Sequence, residues 1–104
     1  MSDHEIARAA DRVTRRVVVT GRVQGVWYRG WTVEQARARG LVGWVRNRRD
    51  GAVEALFAGP AADVEAMIAA CREGPPAARV ADVRVEAAGA DDAAGDGFRQ
   101  RPTV

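Results

Sequence analysis

The spacing of apolar residues changes period several times along this chain, and the order of the changes leaves few folds open. Val17, Val19, Gly21 and Val23 alternate with Val18, Thr20 and Arg22, the period of two expected of a strand. From Arg29 or Gly30 to Arg39 the period turns helical: Thr32, Val33 and Ala36 share a face, and Gly40 stands where a helix stops. Leu41–Arg48 and Ala52–Ala58 return to strands. Asp50-Gly51 between them signals a hairpin of type I′, a turn that needs positive φ. Gly59-Pro60 opens a second helix, with Pro60 at its first position. There Val64, Met67, Ile68 and Cys71 form a stripe at i, i+3, i+4 and i+7, and Gly74-Pro75-Pro76 ends it. Val80–Glu86 alternates again, Ala87–Gly97 is polar, small and expected to be a mobile loop, and Phe98–Arg101 forms a last short strand limited by Pro102.

The order β-α-β-β-α-β with a terminal strand predicts an α+β, ferredoxin-like split β-α-β sandwich, an antiparallel sheet with two helices on one face. A chain of 104 residues is one domain with a modest core. Residues 1–14 read as a flexible N-terminal extension, in which Ser2 and Glu5 suit a capping box, residues 15–101 as the domain and 102–104 as a C-terminal tail. No apolar run reaches the roughly 18 residues of a membrane span, and the charged N-terminus lacks the apolar core of a secretory signal. Cys71 is the one cysteine, so no internal disulfide forms. These features predict a cytoplasmic protein without membrane contact.

Every basic residue is an arginine, and the arginines are unevenly placed. Residues 22–49 hold seven of them against one acid, Glu34, whereas residues 82–96 hold five acids against Arg84. A small dianion is drawn to the basic half. That half contains GRVQGVWYR, Gly21–Arg29, in which a strand runs into a glycine turn at a helix start. Backbone N–H groups in such a turn point outward unpaired, and the helix dipole adds partial positive charge. Arg29 adds a planar fork of donors able to grip two oxygens of a phosphoryl group. No carboxylate lies between Gly21 and Val33.

Two spaced patterns in this region resemble the acylphosphatase family. G-x-V-Q-G-V-x-(aromatic)-R appears as Gly21, Val23, Gln24, Gly25, Val26, Tyr28 and Arg29. G-(aromatic)-V-x-N-x-x-x-G-x-V, with a further glycine six residues on, appears as Gly43, Trp44, Val45, Asn47, Gly51, Val53 and Gly59. The resemblance covers roughly residues 15 to 101. It implies the same ferredoxin-like fold and hydrolysis of the carboxyl–phosphate bond of acyl phosphates to a carboxylate and phosphate. It further implies that Arg29 binds the phosphoryl group, that the backbone amides of Gln24, Gly25, Val26, Trp27, Tyr28 and Arg29 surround it, and that Asn47 orients the attacking water. It also favours a monomer acting on a small substrate with no metal, cofactor or nucleic acid.

Taken singly, each of these residues has a plainer reading: a connection, a solvated arginine, an asparagine of turn chemistry. Two matches in one order and spacing reverse those odds. A Walker A loop needs a lysine, which the chain lacks, and Cys71 has no arginine at the spacing of a cysteine-dependent phosphatase. No His, Cys or carboxylate cluster has metal spacing. Cys71 reads as core filler, and Tyr28, Trp44, Trp27 and Trp31 as packing residues, the last two also placed to touch substrate. The competing reading is a non-catalytic anion- or RNA-binding module, since the same fold serves RNA-binding domains; the aromatic RNP1 signature is absent.

Overall fold

The computed structural model describes residues 11–93 and 95–104. A hydrogen-bonded sheet of five strands carries two helices in the order β1 (Arg12–Arg22), α1 (Tyr28–Ala38), β2 (Val42–Asn47), β3 (Val53–Pro60), α2 (Ala61–Glu73), β4 (Arg79–Ala87) and β5 (Phe98–Gln100). The strand order is β4-β1-β3-β2-β5. β1 pairs antiparallel with β3 and β4, and β3 antiparallel with β2. β5 joins β2 in parallel, so the sheet is mixed at this one edge rather than wholly antiparallel. The reason is topological. The chain leaves β4 at one edge and reaches the other edge by crossing the sheet, and a crossover imposes no hairpin geometry.

β1 starts at Arg12, which pairs with Pro60, so residues 12–14 belong to the sheet rather than to the extension. The capping box expected at Ser2 and Glu5 lies outside the described residues. Pro60 closes β3 and caps α2 from outside, one position before its expected place.

Alternation sorts the side chains onto two faces. Val17 and Val19 of β1, Val45 of β2, and Val53, Ala55 and Phe57 of β3 are buried on the helix side with Ala36 of α1 and Val64, Met67 and Cys71 of α2. The rings of Phe57 and Phe98 stack there at 5.4 Å. Full burial of such a side chain stabilises by about 1.5–3 kcal/mol, so these residues hold the helices to the sheet. Burial pushes the Cys71 thiol up to about 12, so it stays protonated and inert at neutral pH. α1 ends where Gly40 turns to φ 67°: its N–H meets the Arg37 carbonyl at 3.0 Å, and the Leu41 N–H meets Ala36 at 3.0 Å. This double closure is a Schellman motif.

The opposite face is partly covered. Trp44 and Leu56 form a second apolar cluster there with Ala93. The segment expected to be a mobile loop contains a short 3-10 helix, Ala90–Ala93, and the Trp44 indole N–H donates to the Asp92 carbonyl at 3.2 Å. Trp44 and Leu56 require apolar cover, and small alanines supply it; composition alone reads those alanines as loop. Arg46 and Arg101 stack over the Trp44 ring at 4.5 and 5.0 Å.

Next to this cluster, Glu54 is 1% exposed and held by two guanidinium groups. Arg46 Nε donates to one carboxylate oxygen at 2.6 Å and Arg16 Nε to the other at 2.6 Å. Burial alone would raise this carboxyl, but the hydrogen bonds from Arg46 and Arg16 outweigh it and hold the group below its ordinary value of 4.5. A depressed folded-state value means the unfolded chain binds more protons in acid. The contribution is therefore fully present above the unfolded value and is lost as pH falls through the folded one. Glu54→Gln is expected to lower stability by about 1–3 kcal/mol at pH 7, measured by urea unfolding. Its deficit relative to wild type shrinks below pH 4.5. A deficit that is the same at pH 3 and pH 7 would contradict the charge-based account.

Candidate active site

The turn between β1 and α1 and the end of β2 meet on the helix side of the sheet. Val23 is buried in the core and anchors the turn at one end. Tyr28 anchors the other: its ring is buried, and its hydroxyl donates to the Cys71 carbonyl of α2 at 2.7 Å. Between them Gly25 takes φ 74° and Trp27 φ 66°. Those reversals turn the backbone N–H groups away from the protein. Among the described residues, the N–H groups of Gln24 to Gly30 find no protein acceptor. They are the orphan donors expected at a helix start, extended backward through the turn.

A cleft of about 130 Å³ opens in front of them. Gln24, Gly25, Trp27, Tyr28, Arg29 and Asn47 line it, together with Val23, Gly30 and Gln100. The volume holds several waters' worth of space, at roughly 30 Å³ each. Of the residues named from the sequence, Val26 alone does not line the cleft; its side chain packs against the core, leaving only its backbone on the loop. No lining residue is acidic, and Arg29 is the one charged group. Among the described residues Arg29 makes no ion pair, whereas Arg16, Arg46 and Arg48 each hold a carboxylate.

Asn47 reaches the cleft because it is the last residue of β2, in register with Val53, on the face shared with Val45. Its Oδ1 is buried and has no hydrogen-bond partner. An amide oxygen that the described residues leave free at the wall of a cleft is open to a donor from outside the chain, such as water. The Asn47 backbone is fixed by the final residues: Val104 N–H donates to the Asn47 carbonyl at 3.2 Å, and Arg49 N–H to the Val104 carbonyl at 2.7 Å. The segment read as a tail thus runs beside β2. The turn beyond Asn47 also differs from expectation. Arg48 N–H meets the Ala52 carbonyl at 2.9 Å and Gly51 N–H the Arg48 carbonyl at 3.1 Å, which makes a three-residue loop rather than a two-residue type I′ turn. The Asp50 carboxylate accepts from the Ala52 N–H at 3.0 Å, so Gly51, at φ 96°, alone takes positive φ.

Two contributions escaped the sequence reading. The Gln24 side chain donates both amide hydrogens, to the Arg48 carbonyl at 2.8 Å and the Ala52 carbonyl at 2.9 Å. It ties the anion-facing turn to the hairpin that carries Asn47, a role that only proximity reveals. Gln100 lines the cleft from β5, where it pairs with Val45. Its alternation with the buried Phe98 was the available signal, since residues two apart share a face. No group of three His, Cys, Asp or Glu side chains comes together among the described residues. None of the helices among the described residues is long and apolar enough to cross a membrane.

Known proteins match this chain over most of its length. The family model described as acylphosphatase matches residues 15–100. An acylphosphatase of Rhodospirillum rubrum is 62% identical over 91 residues, covering 88% of this chain and 98% of that protein. The crystal structure of acylphosphatase from Bacillus subtilis superposes with a TM-score of 0.80 at 35% identity, covering 86% of this chain and 98% of that one. The structure of an acylphosphatase from Coxiella burnetii gives a TM-score of 0.82 at 31% identity, covering 97% and 100%.

Proposed function

The chain belongs to the acylphosphatase family and hydrolyses the carboxyl–phosphate bond of acyl phosphates to a carboxylate and inorganic phosphate, and from that premise we propose that Arg29 and Asn47 carry the reaction. The observation behind this reading is one cleft that combines an unpaired guanidinium, a row of free backbone N–H groups and a buried asparagine oxygen without a partner. Arg29 and the amides of Gln24 to Arg29 bind the phosphoryl oxygens. Asn47 Oδ1 accepts a hydrogen bond from water and aims its oxygen at phosphorus. The water oxygen forms the new P–O bond as the bond to the acyl oxygen breaks, and the acyl group leaves with the electron pair as a carboxylate. The proton lost by water passes to a phosphoryl oxygen of the same substrate.

Little else is needed. Phosphoryl transfer calls mainly for positioning and for charge stabilisation by donors already aimed at the oxygens. The leaving carboxylate is stable as an anion, so a general acid is dispensable. A cleft without His, Asp or Glu suits this chemistry. The same reading takes the protein as a cytoplasmic monomer that works on its small substrate without metal, cofactor or nucleic acid; the single cysteine suits a reducing compartment. The RNA-binding alternative is not favoured by the comparisons.

The test is hydrolysis of benzoyl phosphate by wild type, Arg29→Ala and Asn47→Ala with excess chelator present. Turnover by wild type is expected to be unchanged by the chelator, to be lost in Arg29→Ala and to fall by about 10²–10³ in Asn47→Ala. Loss of wild-type turnover on chelation contradicts the metal-free scheme, and full activity in either variant removes that residue from it.

A further inference from the structure

Trp27 stands apart from the other aromatic residues. It is 60% exposed, whereas every other aromatic side chain is buried or half-buried. It is the one non-glycine residue at positive φ among those described. A bulky side chain is an outlier in that region, and such strain persists only where surrounding structure imposes it. The ring is also held in place. Its pyrrole part lies against the α-carbon of Gly30, where an added Cβ would stand 2.1 Å from Nε1. Gly30, having no side chain, makes room for the indole. Trp27 and Gly30 both line the cleft.

The chemistry fixes what meets this ring. Displacement at phosphorus is in line, so the water and the leaving group lie on opposite sides. Asn47 presents a buried oxygen, which puts the water at the inner end of the cleft. The acyl group then projects from the open end, and Trp27 is the exposed apolar surface lining that end. An indole held flat against a helix offers its face to another flat group at little entropic cost. We infer that Trp27, seated on Gly30, is a platform for the acyl group and the residue that discriminates aromatic from short aliphatic acyl phosphates.

This inference rests on the acylphosphatase reading, and the test separates the two. The ratio of kcat/KM for benzoyl phosphate to that for acetyl phosphate is measured in wild type, Trp27→Phe, Trp27→Asn and Gly30→Ala. Asparagine tolerates positive φ, so it keeps the turn while removing the aromatic face. Alanine at position 30 favours the helix while evicting the ring. The ratio is expected to fall about tenfold, the scale of one aromatic contact, in Trp27→Asn and Gly30→Ala, mainly through KM for benzoyl phosphate. Trp27→Phe is expected to keep most of it. A purely structural role would lower both substrates alike and leave the ratio unmoved, which overturns the inference while the acylphosphatase reading stands. Wild type that turns over neither substrate overturns that reading and the platform with it.

Discussion

Arg29→Ala is expected to lower kcat/KM for an acyl phosphate by at least about a thousandfold, the scale of an arginine stabilising phosphoryl transfer, and to abolish binding of inorganic phosphate. Arg29 is the one charged side chain lining the cleft, and no carboxylate among the described residues competes for it. Its guanidinium carries five donors in a rigid plane, matched to two oxygens at once. The backbone amides that remain supply only partial charges, and these must hold a dianion with no full positive charge beside it. Arg29→Lys restores the charge but not the fork, so it is expected to recover phosphate binding better than rate. Steady-state kinetics and calorimetric titration with phosphate read the two effects separately. Arg29 lies at a helix start and is only half-buried, so the fold should survive the change. Phosphate binding that persists undiminished in folded Arg29→Ala would remove the residue from the site.

Asn47→Ala is expected to behave differently. In the proposed scheme the side chain acts on the water rather than on the bound phosphoryl group, so kcat should fall by about 10²–10³, the cost of losing one positioned polar group, with KM changed little. Stability supplies a second readout. Asn47 Oδ1 takes no hydrogen bond from the described residues, so it belongs to no network that holds the fold together. Alanine breaks no protein hydrogen bond to that oxygen, so thermal unfolding of Asn47→Ala should stay close to wild type. Loss of rate without loss of stability is the signature of a polar group kept for function. A variant that loses rate and stability together would point to a scaffolding role instead.

Several elements were legible from sequence because their determinants are local. The alternation of Val17, Val19, Gly21 and Val23, the stripe of Val64, Met67 and Cys71 and the stop at Gly40 depend on side-chain period and backbone sterics, which neighbours along the chain set. The paired motifs made Arg29 and Asn47 candidates before any packing was known. The hairpin at Asp50-Gly51 was legible as a turn, but its loop length was not. The Asp50 carboxylate takes the Ala52 N–H, and that competition decides between turn types whose sequence preferences overlap.

Other features had no local signature. Ala88 and Ala93 read as loop because nothing beside them in the chain shows that Trp44 and Leu56 need a cover. Gln24 reads as one more polar residue of a turn until the hairpin carbonyls come within reach of its amide. Gly30 reads as a weak helix residue until the Trp27 ring is found against it. The strands and helices, their order and the candidacy of Arg29 and Asn47 could be read from the chain alone, because those follow from period and motif. Packing decided that β5 runs parallel to β2, that the Asn47 oxygen is buried in the cleft that Arg29 also lines, and that an exposed indole lines the same cleft. Burial and the loss of hydrogen-bond partners arise only when segments distant in the chain are brought together.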